Sequence, residues 1–366
     1  MTWCKHRVFS QCCVLATLLL LQLTLVAHGQ ELPSDSAART TSVTFEFVTT
    51  RDIGAIGSLS ADSESDIWAA SLTNSTALHF NGTTWAEVAM AKAGRVNKLA
   101  VLSPTNVWAV GQRATGRLSE IQHFNGSIWT VITSPHFGTG EELNSIKALS
   151  ATNIYAVGDS FDSTGSRIPL VEHFNGTMWS IVPLPRTVGG ELFDLALITP
   201  LDIWAVGGTN SGAGLILHFN GAQWSQVSAP PAGLFAVTAL AANNVWAVGR
   251  QLTASTVIEH WNGAKWSVVS SPNTGATAVL NSVSAVSPND VWAAGCEVCA
   301  DTGGGAPALI EHWNGTAWTL APSPVELGGV AANAVLAFPT GHIFVGGFGA
   351  APFGPVTAIM EGKEGN

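Results

Sequence analysis

NVWAVG at residues 244 to 249 and IEHWNGAKW at 258 to 266 are the two halves of one unit that recurs along the whole chain. The first half returns as DIWAAS (66 to 71), NVWAVG (106 to 111), NIYAVG (153 to 158), DIWAVG (202 to 207) and DVWAAG (290 to 295), with a worn copy, HIFVGG, at 342 to 347. The second half returns as LHFNG, QHFNG, EHFNG, LHFNG and EHWNG, each followed by two residues and then by Trp85, Trp129, Trp179, Trp224 and Trp318 in turn. Successive copies lie 44, 50, 45, 42 and 52 residues apart. That period belongs to propeller blades rather than to short solenoid repeats.

Each unit divides into four short segments rich in Val, Ile, Trp and Thr. In the fifth these are LFAVTAL (234 to 240), NVWAVG, TVIEHW (256 to 261) and AKWSVVS (264 to 270). Such segments favour strand, and no stretch holds an apolar period of 3.6. The first and second strands are joined by turns such as SPTN (103 to 106) and SPND (287 to 290), which carry type I turn chemistry. Asn-Gly between the third and fourth is expected to form a tight type I′ hairpin. The last unit ends without its Trp-bearing strand, while VTFEFVTT (43 to 50) is a strand without a unit. The expected fold is therefore all-β: a seven-bladed propeller of four-stranded antiparallel blades, closed by pairing the N- and C-terminal strands.

Residues 1 to 29 have a basic start, an apolar run from Val14 to Ala27 and small residues at Ala27 and Gly29, the pattern of a secretory signal peptide. Residues 30 to 42 are expected to be a flexible lead-in, and 43 to 366 a single propeller domain. The chain would then be secreted, periplasmic or displayed at the cell surface, with no membrane span after cleavage. Without Lys5 and Arg7 of the leader, the 15 bases become 13 against 25 acids, a net charge of −12. Such a balance argues against nucleic acid as a partner. Charged residues make up only 11% of the chain, as closely stacked sheets with covered faces require.

The repeat resembles the blades of kelch-like and galactose-oxidase-like propellers over about residues 43 to 362, a likeness of fold. The copper chemistry of galactose oxidase is not implied, because that site needs two tyrosines and this chain has only Tyr155, in a scaffold position. The NGxxW hairpin is similar to the Asp-box hairpin of sialidase-type propellers without matching it.

Six histidines, His79, His123, His173, His218, His260 and His312, hold the same place in successive units. A ring spreads them apart, so each is expected to make a hydrogen bond within its blade rather than share a metal ion. Neither a metal nor a cofactor is expected. Cys296 and Cys299 are expected to form a disulfide. The carboxylate pairs Glu141–Glu142, Asp159–Asp162 and Glu297–Asp301 are the candidates for hydrolytic chemistry.

The Ser-Pro and Asn-Gly turns should open on one face and the variable loops on the other. Recognition is expected on the variable-loop face, through Arg113, Arg117, His136, Phe137, Asp159, Phe161, Arg167 and Arg186. The expected function is that of a monomeric, non-catalytic binding propeller for a protein or glycan. The alternative is a glycan-acting hydrolase or lyase that uses loop carboxylates.

Overall fold

The computed structural model describes residues 43 to 48, 52 to 91, 94 to 185, 188 to 228, 232 to 251, 255 to 272, 277 to 297, 308 to 323, 330 to 351 and 354 to 364. The leader and lead-in expected over residues 1 to 42 lie outside them. Strand β1 (Val43–Phe47) precedes blade 1, which is β2 to β5 (Ile56–Ser63, Asp66–Ser71, Thr76–Phe80, Trp85–Ala89). Blade 2 is β6 to β9 (Gly94–Ser103, Asn106–Arg113, Ser119–Phe124, Trp129–Ile132), and blade 3 is β10 to β13 (Glu141–Ser150, Asn153–Phe161, Arg167–Phe174, Trp179–Ile181). Blade 4 is β14 to β17 (Glu191–Thr199, Asp202–Gly208, Gly214–Phe219, Trp224–Val227), and blade 5 is β18 to β21 (Ala232–Ala241, Asn244–Gln251, Thr256–Trp261, Trp266–Val269). Blade 6 is β22 to β25 (Val279–Ser287, Asp290–Cys296, Ala308–Trp313, Trp318–Leu320). Blade 7 is β26 to β28 (Val330–Ala337, His342–Ala351, Gly354–Glu364), and β1 joins it in the order β1-β28-β27-β26.

Every pairing is antiparallel, and the first strand of each blade lies against the first strand of the next, with β26 against β2. The chain is thus a closed ring of seven blades. Closure is made twice: β1 pairs with β28 from Val43↔Glu364 to Phe47↔Met360, and Asn333 Nδ2 donates to the Ile56 carbonyl at 2.9 Å.

The repeated residues hold the frame. In each of blades 1 to 6 the histidine bonds through Nε2 to the Asp or Asn that opens the second strand, from His79–Asp66 at 2.7 Å to His312–Asp290 at 3.0 Å. Its ring packs on the aromatic of that strand, at 4.0 Å between centroids for Trp204–His218. Each second-strand aromatic then meets the next blade. Trp204 lies 5.0 Å from Trp261 and 5.4 Å from Trp266, and Trp108 lies 5.0 Å from Phe174. The tryptophans are therefore the apolar seam between blades.

The Asn-Gly turn differs from the expected type I′ hairpin. Phe80 pairs with Trp85, so the loop Asn81-Gly82-Thr83-Thr84 has four residues, and only the glycine has positive φ, 89°. Asn81 stays in ordinary backbone because its Oδ1 accepts the amides of Thr83 and Thr84 at 3.1 and 2.9 Å, closing the loop from the side chain. A Cβ on Gly82 would stand 2.9 Å from Ser65 in the first-to-second turn, which places both turn types on one face as expected.

A second glycine shapes the other face. The Gly ending NVWAVG lies opposite a β-bulge in the inner strand, where a Cβ on Gly158 would meet the Glu142 carbonyl at 1.8 Å. The bulge leaves one unpaired residue per inner strand. In four blades it is an asparagine that clasps the following blade: Asn97 to the Leu143 carbonyl, Asn144 to Leu192, Asn281 to Ala332 and Asn333 to Ile56. Blades 4 and 5 carry Phe193 and Phe235 instead, with ring centroids 5.5 Å apart.

Candidate functional site

The inner strands begin on the variable-loop face, so their first residues form the mouth of the central channel. One pairing before the bulge, the ring of positions reads Arg95, Glu142 and Glu191 on blades 2 to 4, then Gly233, Val279 and Ala331 on blades 5 to 7. At this level the described inner strands are charged on blades 2 to 4 and small or apolar on blades 5 to 7. Of the nine lysines and arginines among the described residues, six lie between 95 and 167 on blades 2 and 3. An acidic chain has gathered its described bases at one place.

Arg95, Arg113 and Arg167 are held by carboxylates. Arg95 pairs with Glu142, which also accepts from Asn97 Nδ2 at 2.8 Å. Arg167 bridges Asp159 at 3.0 Å and Glu191, joining blades 3 and 4, and its guanidinium lies 5.3 Å from the Phe161 ring centroid. Arg113 approaches Glu120 at 4.0 Å. Glu142 and Asp159 stand directly opposite on neighbouring strands, an arrangement that repels unless each acid has its own cation. Burial pushes the Arg95 guanidinium down, with Asp159 opposing and Arg167 adding to the effect.

A hydrogen-bonded chain runs from this surface into the blade. His136 Nδ1 lies 3.1 Å from Glu141 Oε2, Glu141 accepts from Ser119 Oγ at 3.3 Å, and Ser119 and Ser134 share a hydrogen bond at 2.9 Å. Ser134 Oγ then donates to the buried carboxyl of Glu172 at 3.0 Å. Glu141 further accepts the Phe137 amide and gives its own amide to the Arg117 carbonyl at 2.7 Å. Arg117 has φ 49°, the only positive value outside glycine among the described residues.

Seven of the eight expected contact residues are therefore interlocked on two adjacent blades, while Arg186 lies outside the described residues. Asp159 is a strand residue, 1% exposed behind Arg167, whose guanidinium it positions. Arg117, His136 and Phe137 are exposed, and Arg113 and Arg167 are about a third exposed at their side chains, 33% and 31%. The hydrolytic pairs are likewise not free loop acids: Glu141 and Glu142 open β10 and are engaged as above, and Asp162 Oδ1 caps its own turn through Thr164 and Ser166. Asp301, expected beside Glu297, lies outside the described residues. Cys296 is disulfide-bonded, and its expected partner Cys299 lies outside the described residues. Among the described residues no group of three or more His, Cys, Asp or Glu is placed to share a metal ion.

Sequence reasoning missed the bulge asparagines, Phe193, Phe235 and the inner-strand lysines Lys98 and Lys147. Their signal was present as the residues that break an otherwise uniform first strand, but the repeat directed the reading to the second and third.

Three buried glutamates carry a pH dependence. Glu172, Glu259 and Glu311 take the third-strand place held by Leu78 and Leu217 in blades 1 and 4. Burial pushes them up to about 8, about 8 and about 7, with the Ser134 and Ser271 hydroxyls opposing at Glu172 and Glu311. Both oxygens of Glu259 lack a hydrogen-bond partner among the described residues. Each folded value lies above the unfolded one near 4.5, so the native state keeps protons that the unfolded chain releases, and stability grows as pH falls from about 8. Burial lowers His123, His173 and His260 below 6.5, so they oppose this trend only under pH 6.5. The melting temperature is expected to be higher at about pH 6.5 than at about pH 8.5, and Glu259→Leu to add about 1 to 3 kcal/mol at the higher pH and flatten the slope. Thermal scans across that range check both; a destabilised Glu259→Leu protein would contradict the assignment.

The fold and mouth define a seven-bladed propeller with a charged channel mouth. No family model matches the chain, and no curated protein does. Among solved structures, the chain is similar to YCF48 bound to D1 peptide, at 15% identity and TM-score 0.60, covering 90% of this chain and 99% of that one. Virginiamycin B lyase from Staphylococcus aureus, in a catalytically inactive form with quinupristin, gives 12% identity, TM-score 0.66 and coverage of 88% and 99%. The GH74 xyloglucanase from Xanthomonas campestris gives 13%, 0.58 and coverage of 86% and 55%. At identities this low the likeness shows a shared fold alone.

Proposed function

We propose that this chain is an exported, non-catalytic binding propeller that takes a protein segment at the channel mouth over blades 2 to 4. The observation that carries the reading is the gathering of Arg95, Arg113, Arg117 and Arg167 at one arc, most of them already oriented by buried carboxylates. Pre-set guanidiniums lose little freedom when they bind, and their donor forks suit backbone carbonyls and carboxylates of an extended segment. The D1 peptide seen on YCF48 supports a peptide as the ligand class. Binding is favoured over glycan hydrolysis because an acid and base pair needs a carboxyl free to exchange a proton, and the mouth acids are tied to guanidiniums, amides and hydroxyls. The pattern of residues 1 to 29 supports export.

The test is a peptide array and a glycan array probed with the wild-type protein and an Arg113→Ala/Arg167→Ala double variant. Peptide signals are expected to fall at least about tenfold in the variant, with an unchanged circular dichroism spectrum, while Thr177→Ala in an Asn-Gly turn leaves them intact. Equal loss from Thr177→Ala would overturn the location, and cleaved glycan products would establish the hydrolase reading instead.

A further inference from the structure

The charged arc continues below the mouth. One level beneath the bulge, Lys98 lies on the inner strand of blade 2, where the neighbouring inner strands hold Ser58, Ser145 and Asp194. Two residues further along its strand, opposite Tyr155, blade 3 presents Lys147, at a level where the other six inner strands carry Ser60, Ala100, Ala196, Thr238, Ser284 and Leu336. Lys147 is open to solvent, yet burial lowers its pKa, Lys98 adds to that effect and Asp194 opposes it. A group that water reaches while protein surrounds it belongs to a channel wall.

Neither ammonium has an ion-pair partner among the described residues. Asp194, the acid that Lys147 feels, is committed elsewhere: its oxygens accept Ser145 Oγ at 2.6 Å and the Val237 amide at 3.1 Å. Two like charges on adjacent inner strands of one channel repel, and the frame does not need them, because alanine fills the level of Lys147 in blades 2 and 4. An anion between them would relieve that repulsion.

We propose that Lys98 and Lys147 form a site in the central channel for an anionic oxygen group, a carboxylate or a phosphate. The site stands independently of peptide binding at the mouth. Its chemistry is that of two point charges on flexible stems, which accept a compact, multiply charged oxyanion without demanding a planar geometry.

Citrate and inorganic phosphate, titrated separately at ionic strength held constant with chloride, are the probes. One or both are expected to raise the melting temperature saturably, and the one that does identifies the group bound. Lys147→Ala and Lys98→Ala are expected to shift the midpoint by about tenfold or more, the loss of one ion pair, while Lys363→Ala leaves it unchanged. In the wild-type protein the same anion should protect Lys147 from amine acylation, a readout that does not depend on a variant folding. No saturable response to either anion, an unmoved midpoint in Lys147→Ala, or acylation of Lys147 at saturating anion would each overturn the site.

Discussion

Removal of Val43–Phe47 is expected to lower the melting temperature by about 10 °C or more, although those five residues carry none of the repeat. Val43 and Phe45 are buried in blade 7, and Phe45 packs edge-on against Trp292 of blade 6 at 6.4 Å. Burying one Val and one Phe side chain is worth roughly 4 kcal/mol, a large share of the 5 to 15 kcal/mol that holds a typical domain together. Deletion also strips β28 of its outer partner and leaves an open edge, so aggregation should accompany the lower melting point. A synthetic peptide of residues 43 to 50 added in trans should restore part of the loss. A truncated protein that melts like the full chain would show that the ring closes through β26 and β2 alone.

Trp204→Ala is expected to cost about 3 to 5 kcal/mol, the second largest single effect. The indole is 1% exposed and touches His218 of its own blade and Trp261 and Trp266 of the next, so its loss opens a cavity across a seam that a neighbouring blade cannot shift to fill. Trp204→Tyr should cost far less, because Tyr155 occupies the same place in blade 3 and packs on His173 at 4.3 Å. Denaturant unfolding of the two variants separates them. Equal costs for Tyr and Ala would mean that the indole does something beyond filling the seam.

The frame was legible because its determinants are local and repeated. Each histidine finds its Asp or Asn across one strand pairing, each Asn-Gly loop is closed by its own side chain, and a missing strand at one end matched a surplus strand at the other. The one local error, the type I′ turn, arose because Asn-Gly states a need for positive φ without stating how many residues share it; the Asn81 side chain decided that only the glycine would. The variable-loop face followed from the turns by exclusion, and the seven described residues drawn from it lie together on blades 2 and 3.

The chemistry of that face was not legible, since it rests on neighbours far apart in the chain. Asp159 reads as a loop acid until Arg167 and Glu191 are seen across two strands and a blade boundary. Lys98 and Lys147 read as two scattered bases until the inner strands stand side by side around one channel. By itself the sequence determined the number of blades, the strand order within them and the seam residues, because periodicity and short-range pairing are written in residue order. Only the tertiary structure decided where charge gathers, because the ring brings the same level of adjacent inner strands, about 50 residues apart in the chain, to one wall of the channel, and electrostatic neighbourhood follows distance in space rather than in sequence.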